Sequence, residues 1–237
     1  MTPELLVLAA TAASIGFVHT LLGPDHYLPF IVMAKARGWS RKKALAITSI
    51  CGLGHVASSV LLGMVGIGFG IAVGNLDAIE SVRGDWAAWA LMAFGVTYCA
   101  WGIKTAYKNK SHEHLHDHGD GTVHRHDHNH HGSHAHAHTS SSKVGITPWA
   151  LFVIFVLGPC EPLIPILMYP AAEASWGGVL LVAAVFGLST LVTMTAVVAV
   201  SLFGLGQISF APLARFSHAL AGGTVAISGS FIVFLGL

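Results

Sequence analysis

Charge is what this chain has least of. Asp, Glu, Lys and Arg make up only 10% of its 237 residues against 54% hydrophobic, where soluble domains carry about a quarter charged. A net charge of +1 excludes the strongly basic surface that nucleic-acid binding uses. Cysteine is scarce too. Cys51, Cys99 and Cys160 lie in or beside apolar segments without paired spacing, which excludes a disulfide framework. Phosphate loops, nucleotide motifs and nucleophile–base sets are absent, so neither an enzyme nor an ATP-driven step is expected, and no covalent cofactor. The start, Met1-Thr-Pro-Glu4, lacks the basic region of a cleaved signal and is expected to stay as part of a first membrane helix.

What remains is apolar length. Mean hydropathy is +0.67, and runs of about 20 apolar residues can cross a bilayer. Six such segments are expected, at roughly 4–35, 44–75, 86–106, 147–169, 176–205 and 214–237. An acidic link with Asp77, Glu80 and Asp85 joins the second to the third. The basic cluster Lys35, Arg37, Arg41, Lys42 and Lys43 should face the cytoplasm. That puts the N-terminus outside and segment 107–146 on the cytoplasmic side of a prokaryotic cell (inner) membrane.

The two halves resemble each other. Gly23-Pro24 matches Gly158-Pro159, Leu28 matches Leu163, Met33 matches Met168, and Gly52-Leu53 matches Gly187-Leu188, each 135 residues apart. Three helices per half force opposite orientations, a transporter plan with its ion site where broken helices meet. The fold expected is an all-α integral membrane protein of six transmembrane helices, arranged as two inverted three-helix repeats with broken first helices. Residues 1–106 and 147–237 form the repeats around a His-rich loop, 107–146. The bilayer is then the main partner, and the glycine-lined third and sixth segments leave packing within one chain or in a homo-oligomer open.

The stretch His19 to Pro29 concentrates the polar chemistry. His19, Asp25 and His26 interrupt an apolar run, where a central Asp costs ~3 kcal/mol and ionisable groups mark ion or substrate pathways. Pro24 and Pro29 lack N–H groups and free the carbonyls of Thr20 and Asp25. Such carbonyls are tolerated at membrane depth only against protein or a wet cavity. The repeat places Cys160 and Glu161 opposite Asp25 and His26, and Thr190 opposite His55. The candidate site is therefore His19, Asp25, His26, His55, Cys160, Glu161 and Thr190. Imidazole, carboxylate and thiolate suit nickel, cobalt or zinc better than magnesium or calcium.

Twelve of the sixteen histidines fall in the polar segment: His112, His114, His116, His118, His124, His126, His128, His130, His131, His134, His136 and His138. Without apolar residues to build a core it should be disordered until metal binds. Many weak chelating sets in a mobile chain suit metal capture, although a pH-sensing role is an alternative.

These motifs resemble the nickel/cobalt transporter superfamily, in particular its efflux branch with a His-rich cytoplasmic loop. His19 through Asp25-His26 resembles the family's His-spacer-Asp-His helix, with five intervening residues where the importer signature has four. Gly52-Leu-Gly-His55-Val-Ala-Ser58 is similar to its second-helix motif, and Gly158-Pro-Cys-Glu-Pro162 to the break of the second half. The resemblance implies a secondary transporter for a divalent transition metal, nickel or cobalt favoured, working by efflux with proton exchange. A membrane thiol–disulfide electron carrier is the main competing expectation, since its relatives also have two three-helix halves with Pro-Cys breaks. That chemistry wants one cysteine per half, whereas Cys160 pairs by repeat with Asp25. An anion exporter using helix N-termini and a non-transporting metal sensor are further alternatives.

Overall fold

The computed structural model describes residues 3–69, 73–108, 112–117, 123–128, 146–158, 160, 162–173, 175–205 and 215–235. Eight α-helices occur among them: α1 Pro3–Leu22, α2 Leu28–Ala36, α3 Arg41–Gly68, α4 Val73–Lys108, α5 Ile146–Leu157, α6 Leu163–Ala172, α7 Trp176–Leu205 and α8 Ser217–Leu235. Five of these, α1, α3, α4, α7 and α8, are long and apolar enough to cross a membrane, while α5 and α6 are shorter apolar pieces. Large apolar side chains such as Leu22, Leu53, Leu61, Leu180, Val200 and Phe234 face outward, as a bilayer-embedded surface requires and a soluble one avoids. The chain is a multi-pass membrane protein.

Proline and glycine set the interruptions. After α1 the chain makes a 3-10 turn, Pro24–His26, before α2, where the missing proline N–H prevents the α-helical bond to Thr20. The second interruption falls between Leu157 and Leu163. Past α2, Gly38 takes φ +62°, a conformation open to glycine, while Trp39 N–H donates to the Ala34 carbonyl at 2.9 Å. Ser40 then caps α3 by accepting from Lys43 N–H at 3.3 Å.

Several expected boundaries move. The segment from Asp77 to Asp85 is not a link but helix, because α4 starts at Val73. Glu80 is buried there beside Arg83, an ion pair that lets the polar stretch stay helical. Within the His-rich segment, His112–Asp117 and Val123–His128 pair as an antiparallel ladder, His112 opposite His128 and His116 opposite His124. In these two stretches the backbone is a paired ladder. Ladder hydrogen bonds join main-chain groups and require no apolar core. His118, His130, His131, His134, His136 and His138 lie outside the described residues.

Three packing seams hold the bundle. α4 lies along α8, α1 along α7, and α3 against both α7 and α5. The α4–α8 seam is a close backbone approach: a β-carbon on Gly95 would lie 2.3 Å from Ala226 N, and one on Gly102 2.4 Å from Ala219 N. The glycine faces of the third and sixth segments thus pack within one chain. One buried apolar cluster joins Phe30, Met33, Cys51, Leu151, Phe155, Met194 and Val198. Another joins Ala12, Cys160, Leu163, Leu167, Val182 and Phe186. The polar site lies between them.

Candidate functional site

His19 reaches the site from the last turn of α1 and His26 from the end of the 3-10 turn. His55 comes from the middle of α3, and Cys160 from the break between α5 and α6. The helix break is what lets His19 and His26 converge. Seven residues apart on a straight helix they would stand ~10 Å apart along the axis, whereas their ring centroids are 4.8 Å apart. His26 and His55 follow at 5.1 Å, edge to face. One ring nitrogen from each of His19, His26 and His55 falls within 4.8 Å of the others.

The surroundings fix which nitrogens are available. His55 Nδ1–H donates to the Phe155 carbonyl at 3.2 Å, and His26 Nδ1–H to the Gly23 carbonyl at 3.2 Å. A carbonyl only accepts, so both rings carry the proton on Nδ1 and keep the Nε2 lone pair, the second-shell arrangement of metal-ligating histidines. His26 Nε2 and His19 Nε2 are buried without a hydrogen-bond partner. His55 Nε2 faces Cys160 Sγ at 3.0 Å, so the thiol donates to it. Cys160 N–H in turn donates to Ser59 Oγ at 3.1 Å. Asp25 Oδ1 stands 3.3 Å from His26 Nδ1 on the outer side of that ring, so it orients the imidazole instead of sharing its free nitrogen.

Two glycines make room. A β-carbon on Gly23 would lie 2.6 Å from His26 Nδ1 and 2.9 Å from Asp25 Oδ1, a collision that glycine alone avoids. On Gly158 it would touch His55 Nδ1 at 3.3 Å.

The structure thus brings together His19, His26, His55 and Cys160, with Asp25 beside them. Thr190 is buried on the α1–α7 seam, where its Oγ1 lies 3.3 Å from the place a β-carbon on Gly16 would take, one turn along α1 from His19. Glu161 lies outside the described residues. Sequence reading missed Ser59, Arg83 and Glu80. Arg83 Nη1 donates to Glu80 Oε1 at 2.9 Å, and Nη2 to Ser58 Oγ at 2.9 Å and the Val156 carbonyl at 3.0 Å. The i, i+3 spacing of Glu80 and Arg83 suits a helical ion pair, but in sequence the two charges read as part of a polar link. His218 meets the Tyr98 hydroxyl at 2.8 Å on the α4–α8 seam.

Chemically, three nitrogen lone pairs and one thiol converge with no lysine or arginine among them. This set can bind a soft or borderline cation.

Comparison with known families matches residues 28–237 to the cytochrome C biogenesis protein transmembrane region. No curated protein and no solved structure matches the chain. The match overturns the expected membership of the nickel/cobalt transporter superfamily. That resemblance rested on three short motifs of His, Gly and Pro, residue types that recur wherever membrane helices break or pack, while this one spans nearly the whole chain. His55 and Cys160 fall inside the matched region, and His19, Asp25 and His26 precede it. The chain belongs to the family of the cytochrome C biogenesis protein transmembrane region.

Proposed function

We propose that the buried pocket of His19, His26, His55 and Cys160 belongs to a membrane thiol–disulfide electron carrier, the reading that the family match backs, with passage of a divalent transition-metal ion through the same pocket as the second reading. The convergence of three histidine nitrogens within 4.8 Å is the observation that supports metal passage. An ion with ~2.1 Å bonds in a tetrahedron sets its nitrogen ligands ~3.4 Å apart, so ring movements of about an ångström would close the set around it. Neutral imidazoles need lose no proton to bind, whereas the Cys160 thiol must, so metal entry would release a proton. The order of elements in the first half, a broken helix and two long ones, recurs in the second, in keeping with two inverted halves that rock about the pocket. In this reading the N-terminus lies outside and the His-rich segment on the cytoplasmic side, where it captures metal.

The test of metal passage is flux into proteoliposomes loaded with a metal-sensitive dye, run with nickel, cobalt, zinc and manganese. Wild type is compared with His26→Ala and with a deletion of 112–138. Flux that survives the deletion and is lost in His26→Ala is expected. Flux unchanged in His26→Ala would refute the pathway.

The leading reading, a membrane thiol–disulfide electron carrier, is supported by the family match and by the place of Cys160 in the pocket, 3.0 Å from His55 Nε2. A second thiol would have to reach Cys160. Cys51 is one turn from His55 on α3, but it is a free, buried thiol packed in the other apolar cluster. A redox-dependent shift in gel mobility that Cys160→Ser or Cys51→Ser abolishes would favour this reading over metal passage.

A further inference from the structure

The last turn of α5 leaves carbonyls without helical partners, as every helix end does. Here two side chains from other helices add to the main-chain bonds. His55 of α3 donates to the Phe155 carbonyl at 3.2 Å, which also accepts from Gly158 N–H at 3.2 Å. Arg83 of α4 takes Val156 at 3.0 Å and Gly158 at 3.4 Å. The same guanidinium reaches Ser58 Oγ at 2.9 Å, and that hydroxyl donates to the His55 carbonyl at 2.8 Å. Glu80, only 1% exposed, holds the other arm at 2.9 Å. Arg83 therefore ties three helices together at the break that carries Cys160, two residues beyond Gly158. A planar fork of five donors suits this task, and a positive charge is favoured at a helix C-terminus.

We propose that Arg83, oriented by Glu80, is a positioning residue that fastens the α5–α6 break over the buried pocket on the side of α4's N-terminal half, and that releasing it opens Cys160 to the aqueous phase. The proposal holds whichever cargo the pocket carries, so its test does not use flux.

The test is the labelling rate of Cys160 by a membrane-impermeant maleimide in proteoliposomes, in a Cys51→Ser/Cys99→Ser background. Arg83→Gln and Glu80→Gln are each expected to speed labelling tenfold or more, and Arg83→Lys, which keeps the charge, by less than threefold. Cys51, 1% exposed, supplies the comparison in a Cys99→Ser/Cys160→Ser background and should stay unreactive in the same variants. Unchanged labelling of Cys160 in both glutamine variants would overturn the proposal. So would equal acceleration at Cys51, because Arg83 would then support the fold as a whole and not this break.

Discussion

The α4–α8 seam allows a prediction whose size follows directly from atomic positions. A β-carbon added to Gly222 would lie 2.2 Å from Cys99 N, 2.6 Å from Cys99 Cα and 2.8 Å from Gly95 O. All three are backbone atoms, so no rotamer change relieves the overlap. Restoring ordinary contact at 3.4 Å requires the helices to part by about 1.2 Å. Local tilting cannot do this, because β-carbons on Gly95 and Gly102 of α4 and on Gly229 of α8 would likewise lie 2.3, 2.4 and 2.6 Å from backbone nitrogens of the facing helix, so the approach is close all along the seam. A gap of ~1 Å forfeits a quarter to a half of the dispersion energy across it, and overpacking a core costs ~1–3 kcal/mol or more. With backbone on both sides, Gly222→Ala should cost ~3 kcal/mol or more. Among the described residues nothing lies within 4 Å of such an atom on Gly204 in α7, so Gly204→Ala should gain up to ~0.5–1 kcal/mol from helix propensity. In detergent micelles, thermal unfolding followed by tryptophan fluorescence should place Gly222→Ala about 6 °C or more below wild type, and Gly204→Ala slightly above it. The reasoning fails if Gly222→Ala melts at or above Gly204→Ala.

Removing the Ser59 hydroxyl leaves the buried Cys160 N–H without its acceptor. Ser59→Ala should therefore lose ~1–3 kcal/mol in the same melts, and a loss below 0.3 kcal/mol, an order of magnitude under that, would discount the bond. Zinc or nickel at 100 times its dissociation constant should raise stability by about 2.7 kcal/mol through mass action. A chelator should reverse this, and the shift should persist when 112–138 is deleted but vanish in the double variant His19→Ala/His55→Ala. A shift that disappears with the deletion alone would move the binding site to the His-rich segment.

The parts of the site that sequence revealed are those where local chemistry conflicts with its surroundings. His19, Asp25 and His26 within an apolar run beside Pro24 and Pro29 announce both a break and a polar pocket, and the structure has both. His55 and Cys160 were legible through the repeat and adjoining glycines. Arg83 and Glu80 were not, since two opposite charges read as a hydrophilic link until the neighbouring helices that bury them are known. The carbonyls of Gly23 and Phe155, which set the histidine tautomers, carry no residue signature at all. Family membership was misjudged for the opposite reason. Short, chemically conspicuous motifs outweighed the similarity that extends over residues 28–237.

The length of α4 has a mechanical consequence. Its 36 residues measure ~54 Å along the axis, against a hydrocarbon core of ~30 Å. Even tilted by 40°, near the limit for membrane helices, the bilayer covers only ~39 Å of it. About 15 Å of rigid helix must project beyond the hydrocarbon, shared between the two ends. The His-rich segment that follows Lys108 hangs from this rod as a leashed neighbour. Covalent attachment beyond Lys108 keeps its twelve imidazoles near the bundle at a local concentration on the order of millimolar, regardless of how dilute the protein is.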